Sequence, residues 1–106
     1  GMAKQLVYSA LNIKADEALR IGLVNAVYPL AELYAAAEKL ASQIAANAPI
    51  AVRAAKKAIN EGLDLPMDEA VVVEEKAFGS CFETADQQEG MGAFLEKRKH
   101  EPFTNK

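Results

Sequence analysis

The chain has 106 residues and a formal net charge of −3, from 12 basic and 15 acidic side chains. That length suits one ordinary domain, and the weakly acidic balance argues against a general nucleic-acid binder, which concentrates basic charge on one face. Alanine supplies 21 of the residues, so the composition favours helix and close helix packing while offering little area to bury, and a core formed from it is expected to need a partner surface.

In chain order, Met2 to Ala10 carries Leu6 and Val7 in a short helical pattern. Asp16 to Ile21 is a second short helix, stopped by Gly22. Leu23 to Tyr28 alternates in the manner of a strand and ends at Pro29. A lone strand makes no sheet, so this one is expected either to pair with another chain or to have partner strands elsewhere.

From Leu30 the pattern is helical. Leu33, Ala37, Leu40, Ala41 and Ile44 form one apolar stripe. Asn47 can stop that helix, and Pro49 suits the first turn of the next, which reaches Glu61. A further helix opens at Pro66 and Asp68 and runs to about Cys81; Val72 and Val73 widen its apolar surface beyond one stripe, as expected of a sandwiched helix. The last helix is expected to run unbroken to Lys99. Thr84 and Gln87 at its start have capping-box spacing, its acidic residues lie early and Lys97, Arg98 and Lys99 late, to suit the helix dipole. Gly90 and Gly92 oppose it locally, which points to a close approach by a backbone or ligand. Composition shifts little along the chain, but the pattern divides softly into residues 1–29, the end of an α/β unit, and 30–106, an all-helical unit.

The residues carry no complete catalytic constellation. Glu74 lies on the apolar face of its helix, where burial would tune it as an acid or base; an ion pair is the commoner role for such a carboxylate. Arg53, Lys56 and Lys57 make a compact basic face, either a phosphate site or a solvated surface with Lys57 paired to Glu61. Lys97 to His100 is a second basic cluster, serving either the helix end or an anionic ligand. Cys81 and His100 are the only thiol and imidazole; they lie on different elements with no third orienting group, so neither a nucleophilic pair nor a metal site is expected. The single cysteine excludes an internal disulfide and fits a reducing compartment. No apolar run reaches membrane-spanning length and no signal-peptide pattern opens the chain. A cytoplasmic location is expected, with neither a membrane nor a nucleic acid as partner.

Three phrases together resemble the crotonase superfamily in its enoyl-CoA hydratase and 3-hydroxyacyl-CoA dehydratase branch. They are Ala15 to Val27 (ADEALRIGLVNAV), Ala41 to Ala58 (ASQIAANAPIAVRAAKKA) and Phe82 to Lys99 (FETADQQEGMGAFLEKRK). The resemblance is to the C-terminal part of that family. It implies a mainly α fold: the C-terminal helical region of a ββα spiral, with one short strand. Residues 1–29 would be the tail of the spiral core and 30–106 the oligomerisation helices, assembling as trimers or hexamers. The implied parent activity is that of a carbon–oxygen hydro-lyase, reversibly hydrating 2-enoyl-CoA in fatty-acid or butyrate metabolism, with the acyl-CoA thioester as substrate and no separate cofactor. The family's oxyanion segment and two catalytic glutamates lie upstream of the stretch resembled here, so Glu17, Glu61, Glu74 and Glu75 inherit no such role and no catalytic residue is assigned. The resemblance does assign Phe78 and Lys97 to CoA bound by a neighbouring subunit, the ring by apolar contact and the lysine by reaching a phosphate. A self-standing helical association module, or a part of another CoA isomerase, hydrolase or decarboxylase of the family, remains the alternative.

Overall fold

Glycine, proline and capping side chains punctuate the chain into six α-helices in the computed structural model, which describes residues 1–106. They are α1 (Met2–Ser9), α2 (Ala15–Arg20), α3 (Leu30–Ala45), α4 (Pro49–Gly62), α5 (Met67–Cys81) and α6 (Ala85–Leu95). Helix accounts for 66% of the chain and no strand forms, so the mainly α expectation holds and the strand is corrected. In the stretch expected as that strand, Gly22 adopts a left-handed φ of +75° after α2, and the N–H groups of both Leu23 and Val24 donate to the Ala18 carbonyl, at 2.9 and 3.3 Å. Those groups are engaged in a turn, Pro29 has no N–H to offer, and residues 26–29 run without a ladder partner.

The chain forms two compact units, Gly1–Lys39 and Leu40–Lys106. In the first, Ala18 is the one buried apolar residue. Arg20 donates two hydrogen bonds to the Glu17 carboxylate, at 2.7 and 2.6 Å, on the exposed side of α2. Val7, Leu19 and Val24 are exposed and Leu6 is half-buried.

In the second unit α4 and α5 pack against each other. Pro49 stands in the first turn of α4, where its missing N–H has no helical partner to lose. At the α4–α5 corner a Cβ on Gly62 would sit 3.4 Å from the Ala70 Cβ, so small residues set that approach. Ala93 and Asp86, both on α6, are the buried residues of this unit. One face of α4 and α5 stays uncovered, leaving an apolar groove of about 840 Å3. Glu74 lies along this groove and is exposed, because nothing covers the face on which burial was expected. A Cβ at Gly79, inside α5, would meet nothing within 4 Å. Gly79→Ala is therefore expected to stabilise the isolated chain by about 1 kcal/mol through helix propensity, checked by thermal melting.

Candidate functional site

The last helix is shorter than its sequence pattern implies, and its two ends carry the site's geometry. At its start Thr84 is the N-cap: its Oγ1 accepts from the Gln87 N–H at 3.1 Å. The reciprocal arm of a capping box does not form, because the Thr84 N–H donates instead to the Cys81 carbonyl at 3.1 Å. Two residues into the helix, Asp86 is buried at 3% exposure. Its Oδ1 accepts from the Thr104 N–H at 2.6 Å and the Thr104 hydroxyl at 3.2 Å, and its Oδ2 from the Asn105 N–H at 2.8 Å. Burial pushes the Asp86 carboxyl up, but these donated hydrogen bonds outweigh it and hold the group below its ordinary value. Arg53, from the basic face of α4, donates to Asn105 Oδ1 at 2.6 Å. The C-terminal segment is thus tied to both α6 and α4.

At the other end, α6 stops at Leu95 rather than continuing to Lys99. The Arg98 N–H donates to the Ala93 carbonyl at 3.0 Å and the Lys97 N–H to the Phe94 carbonyl at 3.2 Å. This crossed pair is the Schellman arrangement, which places the residue after the cap in the left-handed region. That residue is usually glycine; here it is Lys97, with φ of +54°. A side chain in this conformation costs about 1–2 kcal/mol, so something else must hold the turn.

The holding group is Arg98. Its guanidinium reaches back to α6 and donates to Glu89 through Nη1–Oε1 at 2.6 Å and Nη2–Oε2 at 3.1 Å. Its Nε donates to Glu96 at 2.6 Å. Glu89 Oε1 also accepts from the Glu101 N–H at 2.8 Å. The Arg98 hydrogen bonds, then that from Glu101, hold the Glu89 carboxyl down at about 2, and the two carboxylates raise the Arg98 guanidinium in turn. A Cβ at Gly92 would lie 3.8 Å from Arg98 Nη2, an ordinary contact distance, so the guanidinium folds back directly over this position. Of the basic cluster, Arg98 is consumed internally, whereas the Lys97 ammonium makes no ion pair or hydrogen bond with the rest of the chain.

Phe78, on α5, is 66% exposed and meets Phe82 edge-to-face at 5.1 Å between centroids. It lines the apolar groove; Lys97, on the turn after α6, does not, so the two residues assigned to CoA share no pocket of this chain. Cys81 donates through its thiol to the Ala77 carbonyl at 3.4 Å, while His100 stacks on Phe103 at 4.3 Å, so each is engaged separately. Lys57 and Glu61 approach to 3.8 Å on an exposed face, the ordinary surface pairing. Sequence reasoning assigned Asp86 and Glu89 only to the helix dipole. The tail-tying and clamping roles join residues 9 to 19 positions apart, a separation that no helical spacing marks.

The model of a family described as enoyl-CoA hydratase/isomerase matches residues 1–106. A short-chain-enoyl-CoA hydratase of Clostridium acetobutylicum is 55% identical over 106 residues, covering 100% of this chain and 41% of that protein. A crotonyl-CoA hydratase of Syntrophomonas wolfei is 54% identical over 99 residues, 93% of this chain and 38% of that protein. The crystal structure of an enoyl-CoA hydratase from Bacillus anthracis superposes with a TM-score of 0.93 at 39% identity, covering 100% of this chain and 41% of that one. The chain therefore spans about two fifths of the length of the curated relatives it matches.

Proposed function

Because the chain belongs to the enoyl-CoA hydratase/isomerase family, we propose that it forms part of an enzyme that reversibly hydrates short-chain 2-enoyl-CoA thioesters. The observation carrying this reading is 55% identity over the whole chain to a short-chain-enoyl-CoA hydratase. In such a reaction water adds across the α,β double bond of the thioester. Backbone N–H groups stabilise the enolate oxygen as charge develops, and carboxyl groups move the protons. The acidic residues of this chain are disposed otherwise: Glu17 is bound to Arg20, Glu61 is paired with Lys57, and Glu74 and Glu75 are exposed. In this reading the chain supplies two other things, a helical contact surface and part of the mouth that holds CoA.

Phe78 is an exposed ring suited to apolar contact with CoA, and Lys97 a free ammonium suited to one of its phosphates. Both would act on CoA bound to a neighbouring copy, which makes the working form a homo-oligomer, a trimer or hexamer. A cytoplasmic setting fits the single free thiol; no helix is long and apolar enough to cross a membrane. The exposed α5 face also favours a second reading, a helical association module without catalysis.

The product of the intact gene, assayed by loss of enoyl-thioester absorbance, is expected to hydrate crotonyl-CoA, while the 106-residue chain alone gives none. Absence of turnover by the gene product would favour the association module. Turnover by a mass-verified sample of the isolated chain would remove the division of labour proposed here.

A further inference from the structure

We infer that Glu89 and Arg98 are positioning residues for Lys97: their bidentate clamp fixes the left-handed turn on which Lys97 is offered to a phosphate of CoA. The inference rests on the reading of Lys97 given above and extends it to residues that touch no ligand.

Three observations converge on it. Lys97 occupies the position of the turn that glycine favours, at φ +54°. The next residue is held from three sides of its guanidinium, at 2.6 and 3.1 Å by Glu89 and at 2.6 Å by Glu96. Glu89 additionally accepts the Glu101 N–H at 2.8 Å, so one carboxylate on α6 holds the chain that follows the turn at two points, Arg98 and Glu101. An arginine fork is the better geometric match to a phosphate, and a lysine is a point charge. Here the fork is filled by carboxylates, and the lysines on either side of it, Lys97 and Lys99, carry the unpaired charges; of the two, only Lys97 stands at the left-handed position. A turn serving only to end the helix would be better served by glycine at 97. A strained lysine in an overdetermined backbone is the arrangement expected where a charge must be held in place.

The test uses the intact gene product in steady-state hydration of two thioesters, crotonyl-CoA and S-crotonyl-pantetheine, the second lacking every phosphate. Lys97→Gln is expected to raise KM for crotonyl-CoA roughly three- to tenfold, the scale of one partly exposed charge contact. Glu89→Gln and Arg98→Met are expected to produce a similar rise, with kcat changed by less than about twofold and KM for the pantetheine thioester by less than about twofold. In the Lys97→Gln background, Glu89→Gln is expected to add nothing further. Lys97→Gly covers the case in which a clamp variant fails to fold: the turn favours glycine, so KM for crotonyl-CoA should rise without loss of melting temperature.

A KM for crotonyl-CoA within about twofold of wild type in both clamp variants, alongside a raised KM in Lys97→Gln, would overturn the positioning role and leave Lys97 as a ligand. Equal rises for both thioesters would overturn it in favour of a purely structural clamp. An unchanged KM in Lys97→Gln would remove the Lys97 reading itself. Failure of the wild-type gene product to hydrate either thioester would remove the proposed function.

Discussion

Replacing Val71 by lysine is expected to lower the self-association proposed for this chain by about 100-fold or more, equivalent to about 2.7 kcal/mol. Val71 is 41% exposed and lines the apolar groove of about 840 Å3, beside Met67 at 78% and Phe78 at 66% exposure. Contiguous apolar surface of this kind marks an interaction site rather than ordinary exposure. A second copy covering it would bury the new ammonium without a partner, at a cost of several kcal/mol. Ser80→Lys adds the same charge on the exposed side of α5, outside the groove, and is expected to leave association within about threefold of wild type. Light scattering over a dilution series reads both. Equal behaviour of the two variants would place the contact elsewhere on the chain.

Removing the Asp86 carboxylate is expected to free the C-terminal segment. In Asp86→Ala the N–H groups of Thr104 and Asn105 lose their acceptor, as does the Thr104 hydroxyl. Hydrogen bonds to a charged acceptor are the stronger kind, so amide exchange at Thr104 and Asn105 is expected to accelerate by about tenfold or more, with little change in α4. Acid should do the same to the wild type. Glu89 holds its proton with a pKa of about 2 in the folded chain against an ordinary 4.5, and Asp86 is lowered in the same direction. A carboxyl depressed on folding contributes stability that is fully present above its unfolded value and is lost as pH falls through the folded one. Exchange protection at Glu101 is therefore expected to hold above pH 4.5 and to decline towards about pH 2, and that at Thr104 and Asn105 to hold above 3.8, the ordinary value of Asp86, and to be lost at lower pH. Protection independent of pH across that window would show that the carboxylates do not hold the segment.

Most helix boundaries were legible because their causes are local. Pro49 fits a first turn, Gly22 takes the positive φ that ends α2, and Thr84 caps the backbone three residues on. The misjudged stretches depend on partners distant in sequence. Leu23–Tyr28 alternates like a strand, but alternation does not supply a ladder, and the first N–H groups go to Ala18. The Lys-Arg-Lys run reads as a helix end suited to the dipole. No glycine announces the turn at Lys97, and its determinant, Glu89, lies nine residues before Arg98. Glu74 sits on the apolar face as its spacing requires, yet it is exposed because the face itself is uncovered. For the candidate site, the phrase that carries the family resemblance located Lys97, and only the folded structure shows the groups that hold the turn around it.

The buried apolar residues of this chain are Ala18 and Ala93, both alanine. The larger apolar side chains, among them Leu6, Ile50, Val52 and Val73, are only half-buried, so the core offsets a smaller part of the ordering entropy, which is of order 1 kcal/mol per residue, than a fully covered one would. On the proposed reading, in which a second copy covers the apolar faces of α4 and α5, that contact supplies part of the free energy that keeps these helices in place. Folding and association become one equilibrium governed by mass action: the ordered population rises with the concentration of the covering partner, and a melting temperature belongs to a stated concentration rather than to the sequence alone.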